Sequence, residues 1–177
     1  MLLLSALHNS TTSMSDVHIN IGSNSNRTIQ LTLALEALEE NFSNIVVSSL
    51  YESPAEGFVG DDFYNIGVNA TINKAASEIV EILKNIEDAQ GRQRELPKYS
   101  ARVIDLDLVY CDELVDDALN LPRADILKHA FVLAPLSELN ADKIHPVKDK
   151  TYQELWRAFQ SSRDYELSQY NIDKLLN

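Results

Sequence analysis

The segment VIDLDLVY, residues 103–110, alternates acidic and apolar side chains through its middle. A β-strand projects alternate residues onto opposite faces, so Asp105 and Asp107 are expected to share one face, with their Cα atoms roughly 7 Å apart. The apolar side chains expected on the opposite face are Ile104, Leu106, Leu108 and Tyr110. Two carboxylates on a rigid strand suit a hard divalent cation such as Mg2+, and phosphates commonly complete the ligand shell of such an ion. The segment therefore predicts a metal-phosphate site, although a strand whose polar face meets solvent has the same pattern.

The length and charge of the chain narrow its possible functions. With 177 residues, of which 45% are hydrophobic, the chain fits a single compact domain. The formal net charge of −12 argues against a nucleic-acid partner, because binding to a phosphate backbone needs clustered Lys and Arg. A nucleotide is still compatible with this charge, since basic residues cluster just before the acidic strand: Arg92, Arg94, Lys98 and Arg102.

The single cysteine and the two ends of the chain give coarser expectations. Cys111 has no partner for an intrachain disulfide, so a reducing cytoplasm is the expected location. No apolar segment approaches the roughly 20 residues that a membrane span requires. We expect residues 1–16 to form a loose extension, residues 17–161 a single domain and residues 162–177 a peripheral tail.

Hydrophobic periodicity predicts the order of the elements in this domain. Strands are expected at residues 17–21, 45–51, 63–72 and 103–110, helices around residues 31–42 and 76–86, and a loop at residues 52–62. Further helical segments are expected after Pro122 and around residues 152–159. The order strand, helix, strand, strand, helix, strand is typical of an α+β ferredoxin-like fold, an antiparallel sheet with helices packed on it.

Several other chemistries lack their sequence signatures. No GxxxxGK[ST] segment is present, so a P-loop is excluded. The four histidines, at positions 8, 18, 129 and 145, lack the spacing of zinc ligands, and no GxSxG nucleophile elbow occurs. A metal-phosphate site on the acidic strand is therefore the strongest hypothesis from the residues alone.

Short motifs along the chain strengthen this hypothesis. In chain order they are IGSN (21–24), SLYESP (49–54), FYN (63–65), QGR (90–92), RVIDLD (102–107) and FVLAPL (131–136). Together they resemble the 6-hydroxymethyl-7,8-dihydropterin pyrophosphokinase family, and the arginine separated from DLDL by two residues is the most specific of these features. The resemblance implies the ferredoxin-like fold of that family and the transfer of pyrophosphate from ATP to a pterin alcohol in folate biosynthesis.

The resemblance also implies roles for residues on the phosphate side. Asp105 and Asp107 would hold two Mg2+ ions, and Arg92 and Arg102 would be the catalytic arginines that stabilise the charge growing on AMP. Residues matching the ATP-binding positions are Arg94, Lys98, Tyr99 and Arg123. The loop of residues 94–100 would close over ATP.

For the pterin, the family places the ring between aromatic side chains and reads its edge with an asparagine. The matching substrate-binding residues are Ser53, Pro54, Gly57, Phe63, Asn65 and Phe131. Phe63 and Asn65 lie two apart on one expected strand and should therefore share a face. ATP and a hydroxymethyl-dihydropterin are then the expected partners, with no nucleic acid, membrane or obligate protein partner.

The chain departs from the family pattern at a few positions. Arg123-Ala124 stands in place of a His-aromatic pair, His129 in place of a common Arg, Tyr99 in place of a Trp, and Glu56 where the pocket loop is usually apolar. These departures keep open a catalytically weakened paralogue that binds pterin or nucleotide. A further alternative is an unrelated acidic ferredoxin-like module that binds a basic partner.

Overall fold

The computed structural model describes residues 13–56, 59–92 and 103–175. Its strands are β1 Ser15–Ser23, β2 Ser43–Val47, β3 Leu50–Ser53, β4 Phe63–Ile72, β5 Asp105–Cys111 and β6 Ser168–Tyr170. Its helices are α1 Arg27–Asn41, α2 Ala76–Ala89, α3 Ala130–Leu139 and α4 Tyr152–Ser162, with short 3-10 helices at Ala124–Leu127 and Ile172–Leu175. No helix in these ranges is long and apolar enough to cross a membrane.

The strands form one antiparallel sheet in the order β5-β1-β4-β3-β6, and β2 also pairs with β4. This arrangement confirms the predicted α+β ferredoxin-like class. Gly22 of β1 pairs with Asp105 on one side and Asn65 on the other, while Asn20 pairs with Asp107. The register therefore brings the acidic strand and the predicted pterin-binding strand to the two sides of β1.

Each face of the sheet has its own apolar cluster. The cluster beneath α1 and α2 includes Ile19, Leu31, Leu38, Ile79, Leu83, Leu106 and Leu108. The cluster beneath α3 and α4 includes Tyr110, Leu133, Leu136, Tyr152 and Phe159. Asp105 and Asp107 alternate with Leu106 and Leu108 and therefore lie on the α3 side.

The face predicted for Tyr110 is wrong. Ile19 pairs with Leu108 and His18 with Tyr110, so Val109 is an extra residue that forms a β-bulge. The bulge turns the Tyr110 ring to the face of the aspartates, where it stacks on Tyr152 at a centroid distance of 6.2 Å. Alternation alone predicts the opposite face, because it assumes an uninterrupted strand.

The single strand predicted at residues 45–51 is divided into β2 and β3. At the break, the Ser48 hydroxyl accepts a hydrogen bond from the Gly67 amide at 2.9 Å and donates to the Ser49 carbonyl oxygen at 2.7 Å. The hydroxyl thus replaces a backbone acceptor of the regular ladder. Strand β3 then continues to Ser53, so the following loop begins later than predicted.

The end of the chain adds an edge strand to the sheet. Residues 168–170 pair with β3, where all three are exposed, and Leu175 is buried against the α1 side of the core. A sheet edge offers free backbone groups to such a segment. This part of the predicted peripheral tail is therefore included in the sheet.

Candidate active site

A cavity of about 480 Å3 opens between the sheet and the start of α3. Pockets of roughly 300–1,000 Å3 are typical of small-molecule sites. Its lining residues are Asn20, Gly22, Ser53, Pro54, Glu56, Phe63, Asn65, Asp105, Asp107, Asn120, Arg123, Asp125, His129, Phe131 and Val132. The cavity brings together most of the site residues predicted from the sequence that fall in the described ranges.

The remaining predicted residues are Arg92 and several positions outside the described residues. Arg92 does not line the cavity, but it forms an ion pair with Asp105, which does. The positions that lie outside the described residues are Gly57, Arg94, Lys98, Tyr99 and Arg102, together with the loop of residues 94–100.

The two carboxylates of β5 both face this cavity. Burial raises the pKa of the Asp107 carboxyl above its usual range, the charge of Asp105 adds to this, and Arg123 opposes it. The Asp107 side chain is 32% exposed, but its exposed part faces the cavity rather than open solvent. A cation bound beside this carboxyl would favour its ionised form and so oppose the shift.

A neighbouring amide adds a third oxygen at this place. Asn20 pairs with Asp107 across β1 and β5, and its buried Oδ1 has no hydrogen-bond partner among the described residues. Two carboxylates and an amide oxygen are a donor set that fits a hard cation. No group of three or more His, Cys, Asp or Glu side chains in the described ranges could hold a metal ion. Water or phosphate oxygens would therefore have to complete the shell, as Mg2+ commonly requires.

Arg92 is held in place by a buried acid. Glu87 on α2 is only 3% exposed, and its Oε1 accepts hydrogen bonds from Arg92 Nη1 at 2.6 Å and from the Leu106 amide at 2.7 Å. Arg92 Nη1 also donates to the Ile104 carbonyl oxygen at 3.1 Å and to Asp105. Glu87 therefore fixes both the guanidinium and the start of the acidic strand.

Sequence reasoning missed Glu87, yet a signal was present. Glu87 follows Leu83 by four residues, so it falls within the apolar stripe of α2. An acid in a buried stripe requires a partner. The nearby Arg92 of the QGR motif supplies it.

Arg123 lies on the other side of the carboxylate pair. Its Nη1 is 3.0 Å from Asp107 Oδ1, and its Nη2 and Nε donate to Asp125 Oδ2 at 2.8 and 3.1 Å. Asp125 thus holds the guanidinium plane at the cavity wall. Asp125 was also missed from the sequence, because nothing in its local pattern marks it.

The opposite wall of the cavity is aromatic and amide in character. Phe63 and Asn65 both line it from β4, as predicted for residues that share a face. The buried Asn65 amide donates to Ser53 Oγ at 3.1 Å. A Cβ atom on Gly22 would lie only 2.9 Å from Asn65 Oδ1, so a glycine is required for the amide to occupy this position. Phe131 contributes a second aromatic ring from α3.

Comparisons with known proteins agree with this geometry. The model of the 7,8-dihydro-6-hydroxymethylpterin-pyrophosphokinase (HPPK) family matches residues 18–141. The chain is 33% identical over 145 residues to the 2-amino-4-hydroxy-6-hydroxymethyldihydropteridine pyrophosphokinase of Aquifex aeolicus (strain VF5), covering 80% of this chain and 90% of that protein. It is 32% identical over 139 residues to the protein of the same name from Haemophilus influenzae, covering 75% of this chain and 86% of the relative.

Solved structures add evidence on the fold. A crystal structure of a Plasmodium falciparum HPPK-DHPS triple mutant with STZ-DHP superposes with a TM-score of 0.68 at 15% identity, over 84% of this chain. The present chain spans 44% of that protein's length. At this identity the similarity concerns the fold alone. Taken with the family model and the sequence relatives, it leads to one conclusion: the chain belongs to the 7,8-dihydro-6-hydroxymethylpterin-pyrophosphokinase family.

Proposed function

We propose that the protein transfers pyrophosphate from ATP to 6-hydroxymethyl-7,8-dihydropterin, giving AMP and the pterin diphosphate, in folate biosynthesis. One observation carries the proposal: a single cavity combines a carboxylate pair on β5 with an aromatic and amide wall from β4 and α3. Such a cavity can hold a charged phosphate chain at one end and a flat heterocycle at the other. The names of the sequence relatives support the same reaction.

The reaction is a displacement at phosphorus. The pterin alcohol oxygen forms a bond to the β-phosphorus of ATP, the bond from that phosphorus to the oxygen shared with the α-phosphate breaks, and the alcohol proton is lost to the medium. Positioning of the two reactants and stabilisation of oxygen charge supply most of the catalysis in such transfers.

Asp105 and Asp107 would hold Mg2+, with the Asn20 amide oxygen beside them. Bound Mg2+ would neutralise charge on the phosphate oxygens and order the triphosphate. Two ions are expected from the family resemblance. The two carboxylates would bind the metal through oxygens that now face Arg92 and Arg123.

The arginines would stabilise the leaving AMP. Arg123 presents its guanidinium group at the cavity wall, and Arg92 forms an ion pair with Asp105. Planar guanidinium groups bind phosphate oxygens through paired hydrogen bonds and stabilise charge that grows during transfer. Arg102 as a second catalytic arginine, and ATP contacts from Arg94, Lys98 and Tyr99, stay predictions from the sequence.

On the pterin side, Phe63 and Phe131 offer flat faces for stacking. Asn65 offers an amide edge that can both donate and accept hydrogen bonds. Ser53 Oγ accepts a hydrogen bond from Asn65 Nδ2 at 3.1 Å, and this bond fixes the orientation of the amide. Pro54 lines the same end of the cavity, and Gly57 is a further predicted contact.

The decisive experiment is to quantify AMP after mixing protein, ATP, Mg2+ and 6-hydroxymethyl-7,8-dihydropterin. Controls omit the pterin or the metal. AMP formed only in the complete mixture supports the proposal. Pterin binding without AMP would instead indicate a binding paralogue, and failure to bind either pterin or an ATP analogue would favour an interaction module.

A further inference from the structure

Glu56 and His129 meet at the end of the cavity that is expected to hold the pterin. Glu56 lies in the segment after β3, and His129 immediately precedes α3. His129 Nδ1 is 2.9 Å from Glu56 Oε2. The pair thus joins the segment after β3 to the start of α3 across the cavity wall.

The His129 ring also stacks on an aromatic wall residue. The centroids of His129 and Phe131 are 5.0 Å apart, and the two ring planes are inclined by 25°. A ring has two faces, and His129 covers one face of Phe131. A flat ligand in the cavity would therefore stack on the other face, in a position that depends on how His129 holds the ring.

A second acid extends the same network toward the phosphate end. His129 Nε2 is 4.0 Å from Asp125 Oδ1, and Asp125 binds the guanidinium of Arg123, which reaches Asp107. His129 therefore has acidic neighbours on both ring nitrogens. The contact to Glu56 is the closer of the two, at 2.9 Å against 4.0 Å for Asp125.

We propose that Glu56 and His129 are a positioning pair that holds the Phe131 ring for the pterin and so sets the Michaelis constant for that substrate. The inference rests on the proposed function. Neither residue needs to touch the reacting atoms, since both act through Phe131. The pair joins two segments of the chain that both line the cavity.

The test is a double-mutant cycle with Glu56→Ala, His129→Ala and the double variant. For a partly exposed polar contact we expect each single variant to raise KM for the pterin by about threefold to fivefold. We expect kcat and KM for ATP to stay within about twofold of wild type, and the double variant to be no worse than either single variant. Three outcomes would refute the proposed role of the pair. They are effects on KM that multiply in the double variant, an unchanged KM for the pterin, and a joint loss of kcat and ATP affinity.

Two further variants separate the contact between Glu56 and His129 from the stacking of His129 on Phe131. Glu56→Gln keeps a hydrogen-bond acceptor for His129 and should restore most of the loss seen with Glu56→Ala. His129→Phe keeps a ring on Phe131 but cannot bind Glu56, so adding Glu56→Ala to it should change nothing. Glu39→Ala, an exposed position on α1, is the matched control and should match wild type.

A binding measurement keeps this inference distinct from the proposed function. The pterin is fluorescent, so its dissociation constant can be measured without ATP or metal in all variants. If wild type binds the pterin but forms no AMP, the proposed function fails while the pair is still judged by the dissociation constants. If wild type forms AMP and the variants bind pterin equally well, the pair fails while the proposed function stands.

Discussion

Arg123 and Asp107 form an ion pair at the cavity wall, with Nη1 of Arg123 3.0 Å from Oδ1 of Asp107. The same guanidinium is anchored by Asp125 through two hydrogen bonds, so it does not depend on Asp107 for its position. Arg123 can therefore keep its position when Asp107 binds a metal ion and the guanidinium binds a phosphate group instead of Asp107. This geometry is compatible with the ATP contact that the sequence predicts for Arg123.

Replacing Arg123 should weaken ATP binding specifically. Charge-assisted hydrogen bonds are worth about 1.5–3 kcal/mol, so Arg123→Ala should raise KM for ATP by about tenfold or more. KM for the pterin should change little. Steady-state kinetics with each substrate varied in turn would check this, and Arg123→Lys should recover only part of the loss because it lacks the planar fork. An unchanged ATP constant would contradict a phosphate contact.

Loss of either carboxylate on β5 should abolish turnover. Asp105→Ala and Asp107→Ala each remove an expected metal ligand, so AMP formation should fall by orders of magnitude while circular dichroism stays native. Glu113→Ala, at an exposed acid just after β5, serves as the control. A normal rate at saturating Mg2+ in either aspartate variant would refute the metal assignment.

Two glutamates on α2 allow a comparison of a buried and an exposed ion pair. Glu87→Gln breaks a pair with Arg92 at 2.6 Å around a nearly buried carboxylate, so it should lower the free energy of unfolding by about 2 kcal/mol. Glu81→Gln breaks a pair with Lys84 at 2.7 Å, where the glutamate is 66% exposed, and should change it by less than about 0.5 kcal/mol. Urea denaturation of both variants measures the difference. Equal effects would show that burial does not determine the contribution of Glu87.

His18 should make the fold sensitive to mild acid. Burial lowers the pKa of His18 to about 4, although the hydrogen bond to Asn69 opposes the shift. The unfolded chain binds this proton near pH 6.5, so stability is complete above that pH and is lost as the pH falls toward 4. Through this group the free energy of unfolding should be about 2 kcal/mol smaller at pH 5 than at pH 7.

The variant His18→Phe isolates this contribution. It keeps a ring next to Tyr110 but removes the titrating nitrogen, so its decline in stability from pH 7 to pH 5 should be smaller than in wild type. Urea denaturation at the two pH values gives the comparison. The same decline in both proteins would assign the acid sensitivity to other groups.

Local sequence patterns predict the sheet and the opposing walls of the cavity well, because alternation and helical spacing follow directly from backbone geometry. Asp105 with Asp107, and Phe63 with Asn65, share faces as their spacing predicts. Patterns fail where the regular pairing of strands is interrupted. At Ser48 a side chain replaces a backbone acceptor, and at Val109 an extra residue shifts the register. Patterns also fail for contacts between distant segments, such as Arg123 with Asp107 or Glu56 with His129, which exist only after folding.

The bulge at Val109 connects strand β5 to helix α3. Because it turns Tyr110 to the α3 side, the Tyr110 hydroxyl donates to Asn140 Oδ1 at 2.9 Å, at the carboxyl end of α3. Phe131 lies at the opposite end of that helix. The strand that carries the two aspartates is thereby hydrogen-bonded to the carboxyl end of the helix that carries Phe131. Tyr110 and Asn140 make this connection although neither of them lines the cavity.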